Sequence, residues 1–593
     1  MLKAIATPSY GSVIGAPKGT AGLMVMIGDS LTGNAISVSG SANYTYYQHQ
    51  RGWDSWFQMK YNYPLIIKSL YRGTTPAYGS NQGVGGEYSY QVFARLQEGA
   101  LSQNPDHVFW WPGTNDLHND FTAENVFANT RMAYEICMRN GVSKFWAPAI
   151  PPRHNGGGVA FSAPQEAQRL LYNAMLATFE SENSGSFIYI PLDPVMIDPA
   201  TGLLYLTYAY DGLHLTSTGA YVMAKEVGKK YESLGGGILR RGISPAYSAT
   251  NPNGNLLTNP TFTGTGGTVS TGGTGSLPDN WRAERSTGSV LTWVGSIVSG
   301  LNINGDTVNK MQFAITSVGS GADTDELRIR PSADVTTNVV AGWYEYEFEA
   351  ELDVGTATLL RTFYVRLVDK AANGDEARLH SSRYTSGASE LDVYPVYEVR
   401  KGIYRTWPVY VKDTTGIQPY IYAACDTRVV GTQALRICDP VLRPVPDPMI
   451  GKKLYQPIMT IPIQANSGGQ VAYTDMPAAL AFFTGTYQRQ IHSADLTHYT
   501  EGRICYMQSS AAATAGAKLI GKFNTTADST IANWSDLGVT EISATYSAVN
   551  TYHKSSWIKL AAAARADVLV AVASSGGDGA ADPTYGSICL QFR

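Results

Sequence analysis

The most constraining feature of the sequence is a serine that directly follows a short apolar run. Residues 23–27 are all apolar and predict a buried strand. Gly28-Asp29-Ser30 then predicts a tight turn, which leaves the serine at the carboxyl end of this strand. Open α/β sheets bind their ligands at such strand ends. A serine in this place is a useful nucleophile only if a base, an orienting acid and oxyanion donors converge on it.

The chain that follows alternates between strand and helix patterns up to about residue 235. Further apolar runs predict strands at 107–111, 143–150 and 187–190. Helical patterns are expected at 122–140, 164–182 and 217–234. Thr122 can cap the first of these helices, and Gly141 can end it. Such alternation predicts a doubly wound sheet of parallel strands.

Three polar blocks stand at the ends of these strands or in loops. They are Asn81-Gln82-Gly83-Val84-Gly85-Gly86, Gly113-Thr114-Asn115-Asp116 and Asp211-Gly212-Leu213-His214. Each block alone is a common turn or loop sequence. Together with Gly28-Asp29-Ser30-Leu31, and in this order, they resemble the blocks of the SGNH (GDSL-type) hydrolase family over about residues 20–235. The resemblance implies a flavodoxin-like, three-layer α/β domain with a parallel sheet at residues 21–236.

The resemblance and the side-chain chemistry together suggest catalytic roles. Ser30 is expected to be the nucleophile, and His214 the base that takes its proton. Asp211, three residues earlier, can reach back to His214 Nδ1 and fix its tautomer. The alternative is that Asp211 only caps the last helix. Asp29 and Asp116 are expected to support the site. The expected reaction is two-step acyl transfer to water, with no metal and no other cofactor.

The resemblance also implies an oxyanion hole. The backbone N–H groups of Ser30 and Gly86 and the side-chain amide of Asn115 would receive the developing negative charge. Gly86 is chosen because the family places this glycine five residues after an asparagine that ends a strand. Gly83 and Gly85 stay open as alternatives.

An aromatic and polar stretch follows the serine. Its members are Tyr44, Tyr46, Tyr47, His49, Trp53 and Trp56. Aromatic side chains of this kind either stack on sugar rings or pack as a loop over the sheet, and both interpretations stay open.

Beyond about residue 237 the pattern changes to short, alternating strands. The chain of 593 residues has 60 Gly, 37 Tyr and only 16% charged residues, which favours β-rich architecture with many turns. We expect an extended lead-in at 1–20, a β-sandwich and carbohydrate-binding-like module at 255–443, and a C-terminal β domain at 455–593. Residues 263–276 are rich in Gly and Thr and predict a mobile loop.

Two of these regions show further resemblances. Asn255-Leu256-Leu257-Thr258-Asn259-Pro260-Thr261-Phe262, followed by Leu277-Pro278-Asp279-Asn280-Trp281, resembles the opening of galactose-binding-like jelly-roll modules. Residues 492–497 and 575–583 are similar to parts of C-terminal modules of bacteriophage tail and fibre proteins. Because phage fibres are often trimers, the second resemblance implies a homotrimer and contacts with other virion tail proteins.

Charge and composition exclude several classes of protein. The net charge of -4, without a dense Lys/Arg run, argues against nucleic-acid binding. No apolar run approaches the roughly 18 residues of a membrane span. The N-terminus lacks the apolar core of a secretory signal. The five cysteines show neither a CxxC motif nor metal-ligand spacing.

The sequence therefore predicts a serine esterase that removes O-acetyl groups from a bacterial surface polysaccharide. It would form part of a phage tail fibre or tailspike and would act from the virion at the bacterial surface. One alternative is a secreted bacterial carbohydrate esterase or lipase with accessory binding modules. The other is a non-catalytic adhesin or structural virion protein.

Overall fold

The computed structural model describes most of the first 445 residues and the strands of the C-terminal part. The described ranges are 22–33, 46–49, 51–61, 65–67, 81–103, 105–155, 160–236, 246–287, 290–321, 325–353, 359–371, 376–381, 401–406, 408–445, 459–463, 471–472, 492–494, 501–508, 518–524, 535–541, 552–560, 568–575 and 584–592. The expected lead-in at 1–20, Tyr44 and most of the two phage-like segments (495–497 and 576–583) lie outside them.

Strands and helices alternate in the N-terminal part, as predicted. The elements are β1 (Gly22–Gly28), α1 (Ser30–Gly33), β2 (Tyr46–His49), α2 (Trp53–Tyr61), β3 (Leu65–Ile67), β4 (Asn81–Gly83), α3 (Ser89–Ala94), β5 (His107–Trp111), α4 (Thr114–His118), α5 (Ala123–Arg139), β6 (Lys144–Pro148), α6 (Ala163–Glu182), β7 (Phe187–Ile190), α7 (Asp193–Met196) and α8 (Ser217–Ser233). A π-helical turn at Leu96–Ala100 and 3₁₀ turns at Leu101–Gln103 and Leu206–Tyr208 complete them.

One parallel sheet organises this part. Its order is β3-β1-β5-β6-β7, with β4 also beside β1, and every pairing is parallel. Alternate residues of β1 point to opposite faces, because side chains alternate along a strand. Met24 and Met26 join the core under α2 and α8, whereas Val25 and Ile27 join the core under α3, α5 and α6. The predicted α/β domain with a parallel sheet is confirmed.

Local signals explain where two of the long helices begin. Thr122 caps α5 by accepting the N–H of Asn125 at 3.3 Å. Ser162 caps α6, and its capping box with Gln165 adds a second bond at the same end. In the aromatic stretch, Trp53 and Trp56 are fully buried in α2, so packing is the correct interpretation for these two side chains.

The middle of the chain is β-rich. Its strands are β8 (Thr268–Val269), β9 (Gly273–Gly275), β10 (Trp281–Thr287), β11 (Thr292–Leu301), β12 (Thr307–Val318), β13 (Asp325–Pro331), β14 (Gly342–Leu352), β15 (Leu360–Asp369), β16 (Glu376–Ser381), β17 (Lys401–Arg405), β18 (Val409–Val411), β19 (Ile417–Cys425) and β20 (Val430–Val445). They form two sheets, in the orders β2-β16-β15-β19-β13-β10-β8 and β17-β14-β20-β12-β11-β9, with β18 also on β14. Phe348 and Tyr404 of the second sheet pack edge-on against Phe363 of the first, so the two sheets share a core.

The mobile loop predicted at 263–276 is wrong in part. β8 pairs in parallel with β10, and β9 pairs in parallel with β11, so this segment contributes an edge strand to each sheet. Small residues permit the close approach, because a Cβ at Gly273 would lie 2.2 Å from the ring of Trp293. The small residue at Gly273 is therefore required by packing against a tryptophan.

A strand from the N-terminal part also joins this region. β2, in the aromatic stretch, pairs in parallel with β16, with Tyr46 opposite Ala377. The next element, α2, packs against β17, where a Cβ at Gly402 would lie 2.7 Å from Met59 Cγ. The α/β domain and the adjoining β-rich region are therefore joined by backbone pairing as well as by side-chain packing.

The C-terminal part is again made of strands. They are β21 (Met459–Ile463), β22 (Val471–Ala472), β23 (His492–Ala494), β24 (Glu501–Gln508), β25 (Lys518–Asn524), β26 (Ser535–Glu541), β27 (Tyr552–Lys554), β28 (Ile558–Lys559), β29 (Val568–Ser575) and β30 (Thr584–Phe592). β30 contacts α3 and α5, and Arg139 reaches Gln591 at 3.5 Å. None of the helices in the described ranges is long and apolar enough to cross a membrane.

Candidate active site

Ser30 lies where the sequence places it, directly after β1 and at the first residue of α1. Asp29 shapes the turn, because its Oδ1 accepts the N–H of Leu31 at 2.9 Å. A side chain at position 28 would not fit, since a Cβ there would lie 2.3 Å from Thr32 Oγ1. The glycine of the motif therefore lets the chain turn tightly enough to present Ser30 at the strand end.

His214 and Asp211 form a close pair. His214 Nδ1 lies 2.5 Å from Asp211 Oδ2, and Asp211 Oδ1 accepts the N–H groups of His214 at 2.8 Å and of Leu213 at 3.0 Å. Burial alone would raise the pKa of Asp211, but the hydrogen bonds from the ring and backbone of His214 outweigh it and lower the pKa. The carboxylate is thus held ionised and aimed at the imidazole.

The other imidazole nitrogen is available for chemistry. His214 Nε2 is inaccessible to solvent and has no hydrogen-bond partner among the described residues.

Helix α8 is capped by Thr216, which accepts the N–H of Gly219 at 3.1 Å. The alternative that Asp211 only caps this helix is therefore wrong.

The parallel sheet brings the predicted blocks to one edge. Ser30 follows β1 and Asn115 follows β5, and the carboxyl ends of parallel strands meet at the same edge of a sheet. The loop after β6 reaches the histidine loop, because the N–H of His154 donates to the carbonyl of Gly212 at 2.8 Å.

Arg153 is a residue that the sequence analysis missed. It is buried and donates to the carbonyl and hydroxyl oxygens of Thr114 at 2.8 and 3.0 Å. Burial lowers its pKa to about 10, while the nearby carboxylates of Asp29 and Asp211 raise it. Its electrostatic contact with both carboxylates links the Ser30 turn to the His214 loop. No local motif marks this arginine.

Gly83 does not suit the oxyanion role. Its N–H already donates to Asn81 Oδ1 at 3.0 Å. A Cβ at this position would lie 2.1 Å from the backbone nitrogen of Gly33, so the glycine is required for packing.

Gly85 and Gly86 both remain suitable. Within the described ranges, the N–H groups of Ser30, Gly85 and Gly86 have no hydrogen-bond partner. A Cβ at Gly85 would lie 3.7 Å from Ser30 Cβ, so Gly85 lies beside the serine. Gly86 has a φ of 80°, a conformation that favours glycine. The structure thus favours Gly85 as an oxyanion donor, and the predicted Gly86 stays a candidate for the same role.

Asn115 lies at the start of α4. Its side-chain nitrogen donates to the carbonyl oxygen of Glu87 at 3.0 Å, just after the glycine turn. An amide nitrogen carries two hydrogens, so a second donor is left for another acceptor. This bond fixes Asn115 against the segment that holds Gly85 and Gly86.

Two buried carboxyl groups lie beneath this edge. Burial raises the pKa of Asp29 to about 7 and that of Asp116 to about 6. Asp116 is bound by the N–H and hydroxyl of Ser89, at 2.8 and 2.6 Å. Asp29 Oδ2 has no hydrogen-bond partner among the described residues. Asp29 and Asp116, the two residues predicted to support the site, are therefore both buried.

Asp29→Asn should flatten the pH dependence of stability. The folded pKa of Asp29 is about 7 and its ordinary value is 3.8, so between these values the folded state keeps a proton that the unfolded state has released. The free energy of unfolding therefore falls as pH rises through this window, by at most about 4 kcal/mol. Asparagine cannot ionise, so we expect the Tm of Asp29→Asn to drop less than that of wild type from pH 5 to pH 8. The exposed Asp120→Asn is the control, and an equal drop in both variants would contradict the prediction.

An aromatic stack covers His214. The ring of Tyr210 is stacked on the imidazole with centroids 5.8 Å apart, and the Arg51 guanidinium lies 4.3 Å from the centre of the Tyr210 ring. Arg51 follows β2, the strand that joins the adjoining sheet. The stack therefore links the histidine to the β-rich region.

Tyr210→Leu should lower kcat by roughly two- to tenfold, because a ring stack contributes about 0.5–1.5 kcal/mol. The loss should appear in kcat rather than KM if the stack only orients the base. Hydrolysis of p-nitrophenyl acetate measures both constants. Tyr205→Leu, which removes a ring paired with Tyr208 on the same loop, is the matched control and should retain wild-type kcat.

Among the described residues, the group with metal-ligand chemistry is Glu349, Cys438 and Asp439. It lies on β14 and β20 of the β-rich region. Lys401 forms an ion pair with Glu349 at 3.4 Å, so a cation here would compete with an ammonium group. The group adds nothing to chemistry at Ser30.

A parallel α/β sheet with a serine after its first strand and an Asp–His pair before its last helix defines a serine hydrolase of the SGNH class. Residues 26–222, about a third of the chain, match the GDSL-like Lipase/Acylhydrolase family, which supports this class for the N-terminal domain.

Individual proteins show weaker similarity. An N-acylneuraminate cytidylyltransferase from Escherichia coli O18:K1:H7 is 28% identical over 151 residues, which are 25% of this chain and only 34% of that protein. A putative acylhydrolase from Bacteroides fragilis is 21% identical, covering 36% of this chain and 88% of the other, with a TM-score of 0.28. A catalytic mutant of an acetylxylan esterase from Geobacillus stearothermophilus is 16% identical. The match covers 39% of this chain and 99% of the other, with a TM-score of 0.28. Structural similarities of this size support no conclusion about substrate.

Proposed function

We propose that this serine hydrolase removes O-acetyl groups from a bacterial surface polysaccharide, as part of a phage tail fibre or tailspike. The observation that carries the catalytic part is the His214–Asp211 pair. Asp211 holds Nδ1 at 2.5 Å, and Nε2 is left buried and without a partner among the described residues. A histidine fixed in this way can act as a general base for a serine.

The reaction then follows from the side chains. Ser30 Oγ attacks the ester carbonyl carbon while His214 Nε2 takes the hydroxyl proton. Negative charge on the carbonyl oxygen is received by the N–H of Ser30, the N–H of Gly86 or Gly85, and the Asn115 amide. The intermediate collapses, His214 returns the proton to the sugar oxygen, and an acetyl-enzyme remains. Water, deprotonated by His214, then releases acetate and restores Ser30.

The surroundings of the base favour a sugar ester over a lipid ester. Tyr210 covers the imidazole and Arg51 covers Tyr210, so an aromatic and cationic surface adjoins His214. Long acyl chains need aliphatic walls, whereas a sugar ring is bound well by aromatic faces and hydrogen-bond donors. This contrast supports acetyl as the acyl group and a saccharide as the alcohol.

The virion location rests on the sequence resemblance of residues 492–497 and 575–583 to phage tail and fibre modules. The jelly-roll topology of residues 255–443, the homotrimer and the contacts with other tail proteins belong to the same proposal. Mass spectrometry of purified phage particles from the source strain tests the location. If the protein is absent from such particles, the secreted bacterial esterase becomes the better description.

The deciding experiment is acetate release from p-nitrophenyl acetate and from O-acetylated bacterial polysaccharide, with p-nitrophenyl octanoate beside them. We expect wild type to release acetate from both acetyl esters and to cleave octanoate much more slowly. Faster cleavage of octanoate would identify a lipase. No turnover of any ester by the folded protein would indicate a binding protein.

A further inference from the structure

A polar cleft lies on the outer face of the sheet that contains β14 and β20. It has a volume of about 500 Å³ and crosses five adjacent strands, β17, β14, β20, β12 and β11. Binding sites for small molecules have volumes of roughly 300–1,000 Å³, so a ligand of a few rings fits this one. The strands are held in register by backbone pairing, so the cleft is built on a rigid surface.

The charged groups of the cleft are already paired with one another. Lys310 binds Glu351 at 2.8 Å, and Arg436 binds Glu351 at 3.1 Å and Asp353 at 2.9 Å. Lys401 lies 3.4 Å from a carboxylate oxygen of Glu349. Each cation has a carboxylate partner, so a free anion would have to displace an existing ion pair.

The polar heads nevertheless remain within reach of a ligand. The side chains of Arg436, Glu351 and Lys401 are 23%, 29% and 31% exposed, whereas Lys310 is only 3% exposed. Gln312 lies opposite Arg436 on the neighbouring strand β12, and its side-chain oxygen accepts the Nε–H of Arg436 at 2.7 Å. The cleft therefore presents fixed donors and acceptors side by side. A sugar hydroxyl both donates and accepts, which matches such an array.

The cleft also has an apolar wall on β11. Val298 and Leu301 line it, and Leu301 is 57% exposed. Gly300, between them, leaves room above Lys310, because a Cβ there would lie 3.1 Å from Lys310 Cε. An apolar wall opposite a polar array suits a pyranose ring, which has an apolar C–H face and a hydroxyl rim.

We infer that this cleft binds a neutral saccharide segment of two or three sugar units. The C–H faces lie on Val298 and Leu301, and the hydroxyls bond to Arg436, Glu351 and Lys401. The site is separate from Ser30 and does not depend on the esterase activity. The cleft would hold one part of a polysaccharide on the β-rich region while the hydrolase domain acts on another part of the same polysaccharide.

Binding by the full chain to an array of purified bacterial surface polysaccharides, neutral and acidic, tests this inference. We expect wild type to bind neutral polysaccharides and Gly300→Phe to bind them at least about tenfold more weakly, because the new ring fills the cleft while the charged residues that line it are unchanged. Val294→Phe is the matched control, since Val294 is exposed on the same face of β11 but outside the cleft. Both variants should hydrolyse p-nitrophenyl acetate at the wild-type rate.

A second variant tests the cleft without adding a larger side chain. Glu351→Gln keeps the shape but removes the carboxylate that accepts from Lys310 and Arg436. It should weaken binding of the same polysaccharides about tenfold, with Tm reported alongside. Three results would overturn the inference: no polysaccharide bound by wild type, binding confined to acidic polysaccharides, or binding that both cleft variants leave unchanged. Loss of esterase activity would not bear on it.

Discussion

Ser30→Ala should abolish ester hydrolysis, with kcat falling by at least about 10⁵-fold and with no other variant falling further. The other hydroxyl of the turn after β1, on Thr32, is buried, so the accessible nucleophile at the sheet edge where the Asp211–His214 loop is anchored is Ser30. Its hydroxyl has no hydrogen-bond partner among the described residues, so its removal should leave Tm within about 1 °C of wild type. Steady-state hydrolysis of p-nitrophenyl acetate and thermal unfolding measure the two quantities.

Covalent labelling provides the control for this prediction. Phenylmethylsulfonyl fluoride should add one sulfonyl group to wild type, detected by intact mass, and none to Ser30→Ala. Residual activity in Ser30→Ala above about a tenth of wild type, or labelling of the variant, would place the nucleophile elsewhere.

Asp211→Asn should lower kcat by up to about 10⁴-fold. Its carboxylate holds His214 Nδ1 at 2.5 Å and stabilises the imidazolium that forms when Ser30 loses its proton. An asparagine amide can bond to the unprotonated Nδ1, which would place the proton on Nε2, where the base must accept one. The pH profile of kcat measures this effect, because a His214 ring with its proton on the wrong nitrogen should lower kcat at every pH.

Asp198→Asn is the matched control for Asp211→Asn. Asp198 accepts the N–H of Ala200 at 3.0 Å, in a turn like that of Asp211 with Leu213, but no histidine lies on it. Near-wild-type activity in Asp198→Asn separates loss of the His214 contact from loss of a turn. Equal losses in both variants would assign Asp211 a role in loop structure only.

Local signals explain what could be predicted from the sequence. The apolar run before Ser30 and the runs at β5 and β7 are found at the expected residues, because a fully buried parallel strand needs an uninterrupted apolar segment. Helix α8 begins at Ser217 as predicted, since Thr216 is a strong capping residue. The Asp211–His214 contact was equally predictable, because the two residues are only three positions apart.

Contacts between distant segments explain what could not be predicted. The pairing of β2 with β16 joins Tyr46 to Ala377, more than three hundred residues away, and neither segment has a strong strand pattern. Arg153 acquires its role only when the loops after β1 and β7 fold around it. The choice between Gly85 and Gly86 depends on the path of one turn, which spacing along the chain does not define.

The pairing of β2 with β16 limits how this protein can evolve by domain shuffling. A recombination event in the segment after α8 would appear to exchange one enzyme for another and leave the β-rich region intact. It would in fact remove β2, which lies on the far side of that junction from β16, and expose the unpaired edge of a seven-stranded sheet. The α/β domain and its neighbour are therefore expected to be inherited together, as a single cassette.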